Sequence, residues 1–169
     1  MNGISTAGKW GMSIGNAAVE AGTALWGAAV KAGDSCNNID KMSDKLGISK
    51  QAYQELGYVC QQSGTNIDAM KMGMKKLATS MAEAQNGSGK AAEKFKALGI
   101  SITDSNGNLK SQEEVFKESV AALQNVENKT ERAAMANSLF GKSATELGPL
   151  LDKGAGSINE LTQEAHDLG

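Results

Sequence analysis

From residue 34 onward, apolar residues recur every three or four positions with polar ones between them, the period of amphipathic helices rather than strands. The clearest face runs Ile67, Met70, Met74, Leu77 and Met81, a 3-4-3-4 spacing that keeps five side chains on one stripe. Phe116, Val120 and Leu123 make a shorter stripe, and Leu139, Phe140, Leu147, Leu150 and Leu151 supply further core. The ends of the helices are also marked. Ser111-Gln112-Glu113-Glu114, Ser143-Ala144-Thr145-Glu146 and Ser157-Ile158-Asn159-Glu160 each fit S-x-x-E, in which a hydroxyl caps an orphan amide and the Glu reaches back. Thr65-Asn66-Ile67-Asp68 is a weaker version with Asp as the first-turn acid. The stops are glycines, often after Leu: Leu46-Gly47, Leu98-Gly99, Leu168-Gly169, and also Gly64, Gly87, Gly141 and Gly154. Together these signals predict helices near 34–46, 50–63, 66–86, 89–98, 112–127, 131–140, 144–153 and 158–168. The expected fold is all-α, either a multi-helix bundle or a string of short Gly-terminated helices.

One stretch departs from that period. Ile100-Ser101-Ile102-Thr103 and Leu109-Lys110 flank Asp104-Ser105-Asn106-Gly107-Asn108, and Asn-Gly tolerates the positive φ of a tight turn. A small β-hairpin or tight turn is expected near 100–110, as the only β content. Leu-Gly-Ile-Ser occurs twice, at 46–49 and 98–101, each time closing one helix and leading into the next element.

The first 33 residues form a separate Gly/Ala-rich leader, set against a helical domain at 34–169. Seven glycines and eight alanines fall in it, and its charged residues are Lys9, Glu20 and Lys31. Met12, Val19 and Trp26 are spaced by seven, with Gly15 and Gly22 between them, a pattern suited to closely packed helices. Trp10 and Trp26 would stand ~24 Å apart on one helix. Three readings stand side by side: a loose leader, a packed oligomer seam, or a membrane-contacting segment built on Trp10, Met12, Val19 and Trp26. The segment lacks the Leu/Ile/Phe density of a spanning helix.

Composition narrows the function. The 169 residues include 24 Ala, 20 Gly and 8 Met, against one Pro, one Arg, one His and 4% aromatic residues. Ala and Met favour helix, and scarce aromatics argue against a β-sandwich or barrel. Seventeen basic and 19 acidic residues give a net charge of −2, with no basic face and no Arg forks, so sequence-specific nucleic-acid binding is not expected. Lys75-Lys76, the densest basic pair, reads as a solvated helix face. Cys36 and Cys60 lack metal spacing and read as reduced, half-buried side chains.

Candidate chemistry is thin. Gly87-Ser88-Gly89-Lys90 and Gly141-Lys142-Ser143 resemble phosphate loops, but Ala84 and Ala136 stand where the motif needs its first Gly, and both follow helices. Asp104-Ser105-Asn106-Gly107 places Gly too early for a calcium loop. His166 falls in a last helical turn, where it suits the helix dipole, with no nucleophile or metal cluster beside it in the sequence. No enzyme activity, cofactor or metal is expected.

Three blocks carry a resemblance. Asp44-Lys45-Leu46-Gly47-Ile48-Ser49 with Gln54-Glu55-Leu56 and Gln62-Ser63-Gly64 is the first. Phe95-Lys96-Ala97-Leu98-Gly99-Ile100-Ser101, then Asp104 to Gly107 and Leu109-Lys110, is the second. The third runs Thr130-Glu131-Arg132-Ala133 through Leu139-Phe140-Gly141 to Leu147, Pro149-Leu150-Leu151 and Gly154, followed by Glu164-Ala165 and Leu168-Gly169. In this order, from about residue 34 to the end, they resemble the N-terminal region of phage tail tape measure proteins. The resemblance implies a structural role inside the tail tube, templating its assembly and length, with release at DNA ejection. It implies a homo-oligomer handled by tail assembly chaperones, with the tail tube protein and, at infection, the host membrane as further contacts. The chain would be made in the host cytoplasm and carried in the virion tail. Arg132, the only arginine, is the candidate clamp at a helix junction; an exposed surface cation is the plain reading. The stripe Ile67, Met70, Met74, Leu77 and Met81 reads either as domain core or as an oligomer seam. A compact bundle in isolation and an extended form in the tube are both allowed by glycine joints. Fully helical, 169 residues would span only ~250 Å, so the chain is expected to be a segment or short version of a longer ruler, with the measuring shaft beyond residue 169. The alternatives are a membrane-active injected or toxin-like protein using 1–33, and a non-catalytic helical assembly module.

Overall fold

The computed structural model describes residues 35–154 and 156–168, and the side chains of residues 38–154 and 156–167. Leader residues Trp10, Met12, Val19 and Trp26, the Cys36 side chain and the stop at Gly169 lie outside these. The chain divides into two compact units, Met1–Lys41 and Met42–Gly169. Eight α-helices occur among the described residues: α1 Ser35–Leu46, α2 Lys50–Ser63, α3 Ile67–Gln85, α4 Gly89–Ala97, α5 Gln112–Gln124, α6 Lys129–Phe140, α7 Gly148–Leu151 and α8 Ser157–Leu168. A 3-10 turn, Gly141–Ala144, joins α6 to the segment that ends in α7.

The fold of the second unit is a bundle with α3 at its centre, packed against α2, α4, α5, α6 and the 3-10 turn. Met70, Met74, Leu77 and Met81 of α3 are all buried. They share one core with Leu56 and Val59 of α2, Phe95 of α4, Phe116, Val120 and Leu123 of α5, Leu139 and Phe140 of α6, and Leu147, Leu150 and Ile158. Phe116 and Phe140 set their rings 5.5 Å apart at 55°, the tilted geometry that aromatic quadrupoles favour. Gly73 lets the helices approach closely: a Cβ there would lie 3.1 Å from Leu147 Cδ1.

The two Leu-Gly-Ile-Ser copies close their helices in the same way. After Leu46, Ile48 N–H donates to Ser43 O and Gly47 N–H to Asp44 O; after Leu98, Ile100 N–H donates to Phe95 O and Gly99 N–H to Lys96 O. Each is a paired closure through a left-handed glycine, Gly47 at φ 63° and Gly99 at φ 69°, with the following Ile folded back onto the core.

Two expectations need correction. The hairpin near 100–110 is not formed: the described residues contain no strand, and a single antiparallel bridge, Thr103 with Leu109, closes a tight turn. The reason lies in Asp104, whose Oδ1 accepts from the N–H groups of Asn106 and Asn108 at 2.8 Å each. The side chain takes donors that a ladder would use, and the turn ends within one residue pair. These backbone donors also hold the Asp104 carboxyl below its usual value. The second correction concerns the caps. Ser111 caps α5 by accepting from Glu114 N–H at 3.2 Å, but Ser143 is buried in the 3-10 turn and starts no helix. Ser157 instead donates to Gly154 O and accepts from Gln124 Nε2, both at 2.9 Å. The cap of α3 is Asn66, not Thr65.

Candidate interaction surfaces

The stripe Met70, Met74, Leu77 and Met81 lies inside the bundle, with Ile67 half-buried against its edge. As folded, the bundle's own helices cover that face. The exposed large apolar side chains among the described residues are Met72 on the opposite face of α3, and Leu109 beside the tight turn. Lys75 is exposed and Lys76 half-exposed, the latter running past Gly141, where a Cβ would sit 3.6 Å from Lys76 Cγ.

Arg132 pairs with Asp152, which caps the C-terminus of α7, so it ties the first turn of α6 to the end of α7. Its neighbour Glu131 is engaged through its N–H by Asn128, which accepts from Thr130 and Glu131 at 3.0 and 3.1 Å. Beside the tie runs an open cleft of about 470 Å³, lined by Ala133, Ala136, Ala144, Gly148 and Leu151 with Lys129 at its rim. Polar groups share the lining with these small side chains: Arg132, Asn137, Thr145 and Asp152 also face the cleft. A second open groove, of about 400 Å³, lies between Ala84, Ala92, Phe95 and Ile100 to Thr103.

A polar cluster joins α8 to α2 and α5. Gln51 Nε2 lies 2.8 Å from His166 Nδ1 and donates to Glu55 Oε1 at 2.9 Å. Glu55 is largely buried, 3.4 Å from both His166 Nδ1 and Lys117 Nζ, while Lys117 also bonds Glu113 at 2.7 Å. Farther along, Tyr58 Oη donates to Glu164 at 3.4 Å; burial and the Glu164 charge push the phenol pKa up. The pairings 51 with 166 and 58 with 164 bring α8 alongside α2. Neither Arg132 with Asp152 nor this cluster was anticipated residue by residue, because the partners lie 20 and more than 100 positions apart.

Among the described residues no group of three or more His, Cys, Asp or Glu side chains could hold a metal ion. Likewise no described helix is long and apolar enough to cross a membrane. Cys60 is fully buried rather than half-buried, and burial pushes its thiol up to about 12, which leaves it unreactive in the folded chain.

A family model described as phage-related minor tail protein matches residues 2–141. The match takes in the leader and runs through α6, stopping before α7 and α8. No curated protein and no solved structure matches the chain.

Proposed function

The chain belongs to the family of phage-related minor tail proteins, and from that footing we propose that it is a segment of a tape measure protein. It would lie inside the tail tube, template tube assembly and length, and leave when DNA is ejected. The observation that carries the reading is the order of its blocks: 44–64, 95–110 and 130–154 follow one another as in tape measure N-terminal regions. The fold supports it in a second way. Short helices closed by positive-φ glycines, at Gly47, Gly64, Gly87, Gly99 and Gly141, make a jointed body able to change length by turning at its joints. In this role the chain is non-catalytic and carries no cofactor. Copies associate with one another, tail assembly chaperones hold the chain before the tube closes, and the tube protein surrounds it afterwards. With the α3 stripe inside the bundle, association uses other surfaces.

Quantitative mass spectrometry of intact tails and of tails emptied by triggered ejection tests the reading. The expected result is the chain present in the first and depleted from the second. Equal amounts in both would contradict a releasable interior ruler and leave a fixed tail component.

A further inference from the structure

Arg132 is the one arginine among 17 basic residues, and it stands where a planar fork has more donors than its partner uses. The side chain is only 12% exposed, and among the described residues its guanidinium bonds Asp152 through Nη2 alone. A guanidinium carries five N–H donors in a rigid fork, where a lysine offers a point charge. Asp152 takes one of these donors, and the residue that carries the others lines the open cleft beside α6.

The rest of that lining favours an anion. Lys129, Asn137 and Thr145 bring an ammonium, an amide and a hydroxyl to the same cleft, and none of these side chains has a hydrogen bond or ion pair among the described residues. Two cations therefore face one carboxylate, a local excess of positive charge in a chain whose net charge is −2. Between them the floor is built of small residues, Ala133, Ala136 and Ala144, and small side chains at a contact let a second backbone come close. The cleft holds about 470 Å³ and is open, whereas a site for a free small molecule encloses most of its ligand. Shape and charge together fit a polypeptide segment with an acidic side chain among small ones.

We propose that this cleft is a docking site for an acidic segment of a partner protein. A Glu or Asp carboxylate of the segment takes guanidinium donors that Asp152 leaves unused, and Lys129 adds charge at the rim. The segment's small residues lie along the alanine floor. Arg132 is then both the tie between α6 and α7 and the anchor for the partner. Asp152 competes with the incoming carboxylate for the same fork, so its removal strengthens docking.

The test follows the isotope-labelled full chain by NMR while a short helical peptide of alanine and glutamate is added, beside a twin with glutamine in place of glutamate. The expected result is saturable movement of the Arg132 Nε–H and Ala133 signals with the glutamate peptide and none with the twin. Lys129→Gln, an exposed change, should weaken that binding by roughly two- to fivefold, the worth of one surface ion pair. Asp152→Asn should tighten it, with an unchanged amide spectrum elsewhere showing that the bundle stays folded. The site is overturned if neither peptide moves these signals, or if both move them equally. It is also overturned if free glutamate at the same concentration does as much as the peptide, which means an adventitious ion only. A folded Asp152→Asn chain that binds no tighter than the parent overturns the shared fork.

Discussion

Ser80 and Ser111 carry the same side chain and have opposite value. The Ser80 hydroxyl is buried on α3 with no hydrogen-bond partner among the described residues, so Ser80→Ala is expected to be neutral or stabilising, by up to about 1 kcal/mol. Ser111 caps α5, and Ser111→Ala should cost about 1 kcal/mol. Urea midpoints of the two variants check the pair, and equal shifts of the same sign would contradict the assigned roles. Cys60 adds a dependence on pH. Its folded thiol titrates at about 12 against an ordinary 9.0, so between these values the unfolded chain releases a proton that the folded chain keeps. The unfolded state then binds fewer protons, and stability falls as pH rises above 9, by at most about 1.4 kcal/mol per pH unit. Below pH 9 the contribution is fully present. Cys60→Ala should flatten this alkaline slope in urea titrations, leaving the decline due to Tyr58, Lys71 and Lys110, whose pKa values are also raised. At Gly141, with φ 60° and ψ −140°, the backbone occupies a region that side chains avoid, and Gly141→Ala should lower stability by about 1–3 kcal/mol.

At the scale of elements, α3 is the member that the rest of the bundle is built around. Met74 is fully buried and Met72 is 59% exposed on the same helix. Met74→Ala should cost about 2–5 kcal/mol through the cavity it leaves, whereas Met72→Ala should stay within about 0.5 kcal/mol. Thermal unfolding of both variants tests the assignment of faces. This face was legible in the sequence because a 3-4 spacing over five residues leaves little choice of period. Helix ends were legible too, since a glycine after Leu both stops a helix and supplies the left-handed residue that closes it. Other parts were not. Asn106-Gly107 announces a turn but says nothing about the length of the flanking ladder, and Asp104 ended it after one bridge. The boxes at Ser143 and Ser157 failed because tertiary packing claimed those residues for a buried turn and for Gln124. Ser49 and Asn128 cap α2 and α6. Asn128 followed three residues later by Glu131 is the same capping pattern with Asn in place of Ser.

Across the whole molecule, short sequence distance decided what could be read. Contacts within one helix follow from periodicity, but Arg132 with Asp152 and the Gln51–Glu55–His166 cluster depend on how helices return to one another. Composition alone could not place them. The excess of Gly and Ala, read first as helix-forming and helix-ending, acquires a mechanical sense once the bundle is seen. Among the described residues, glycines such as Gly47, Gly64 and Gly99 close helices, alanines line the cleft beside α6, and Phe95, Phe116 and Phe140 share the core with α3. The described part of the second unit is held by one apolar core. The measurement that bears most directly on this account is a density map of an intact tail containing the protein. The account predicts helical density for this chain within the lumen of the tube, lost after ejection; density on the outer surface of the tail, retained after ejection, would contradict it.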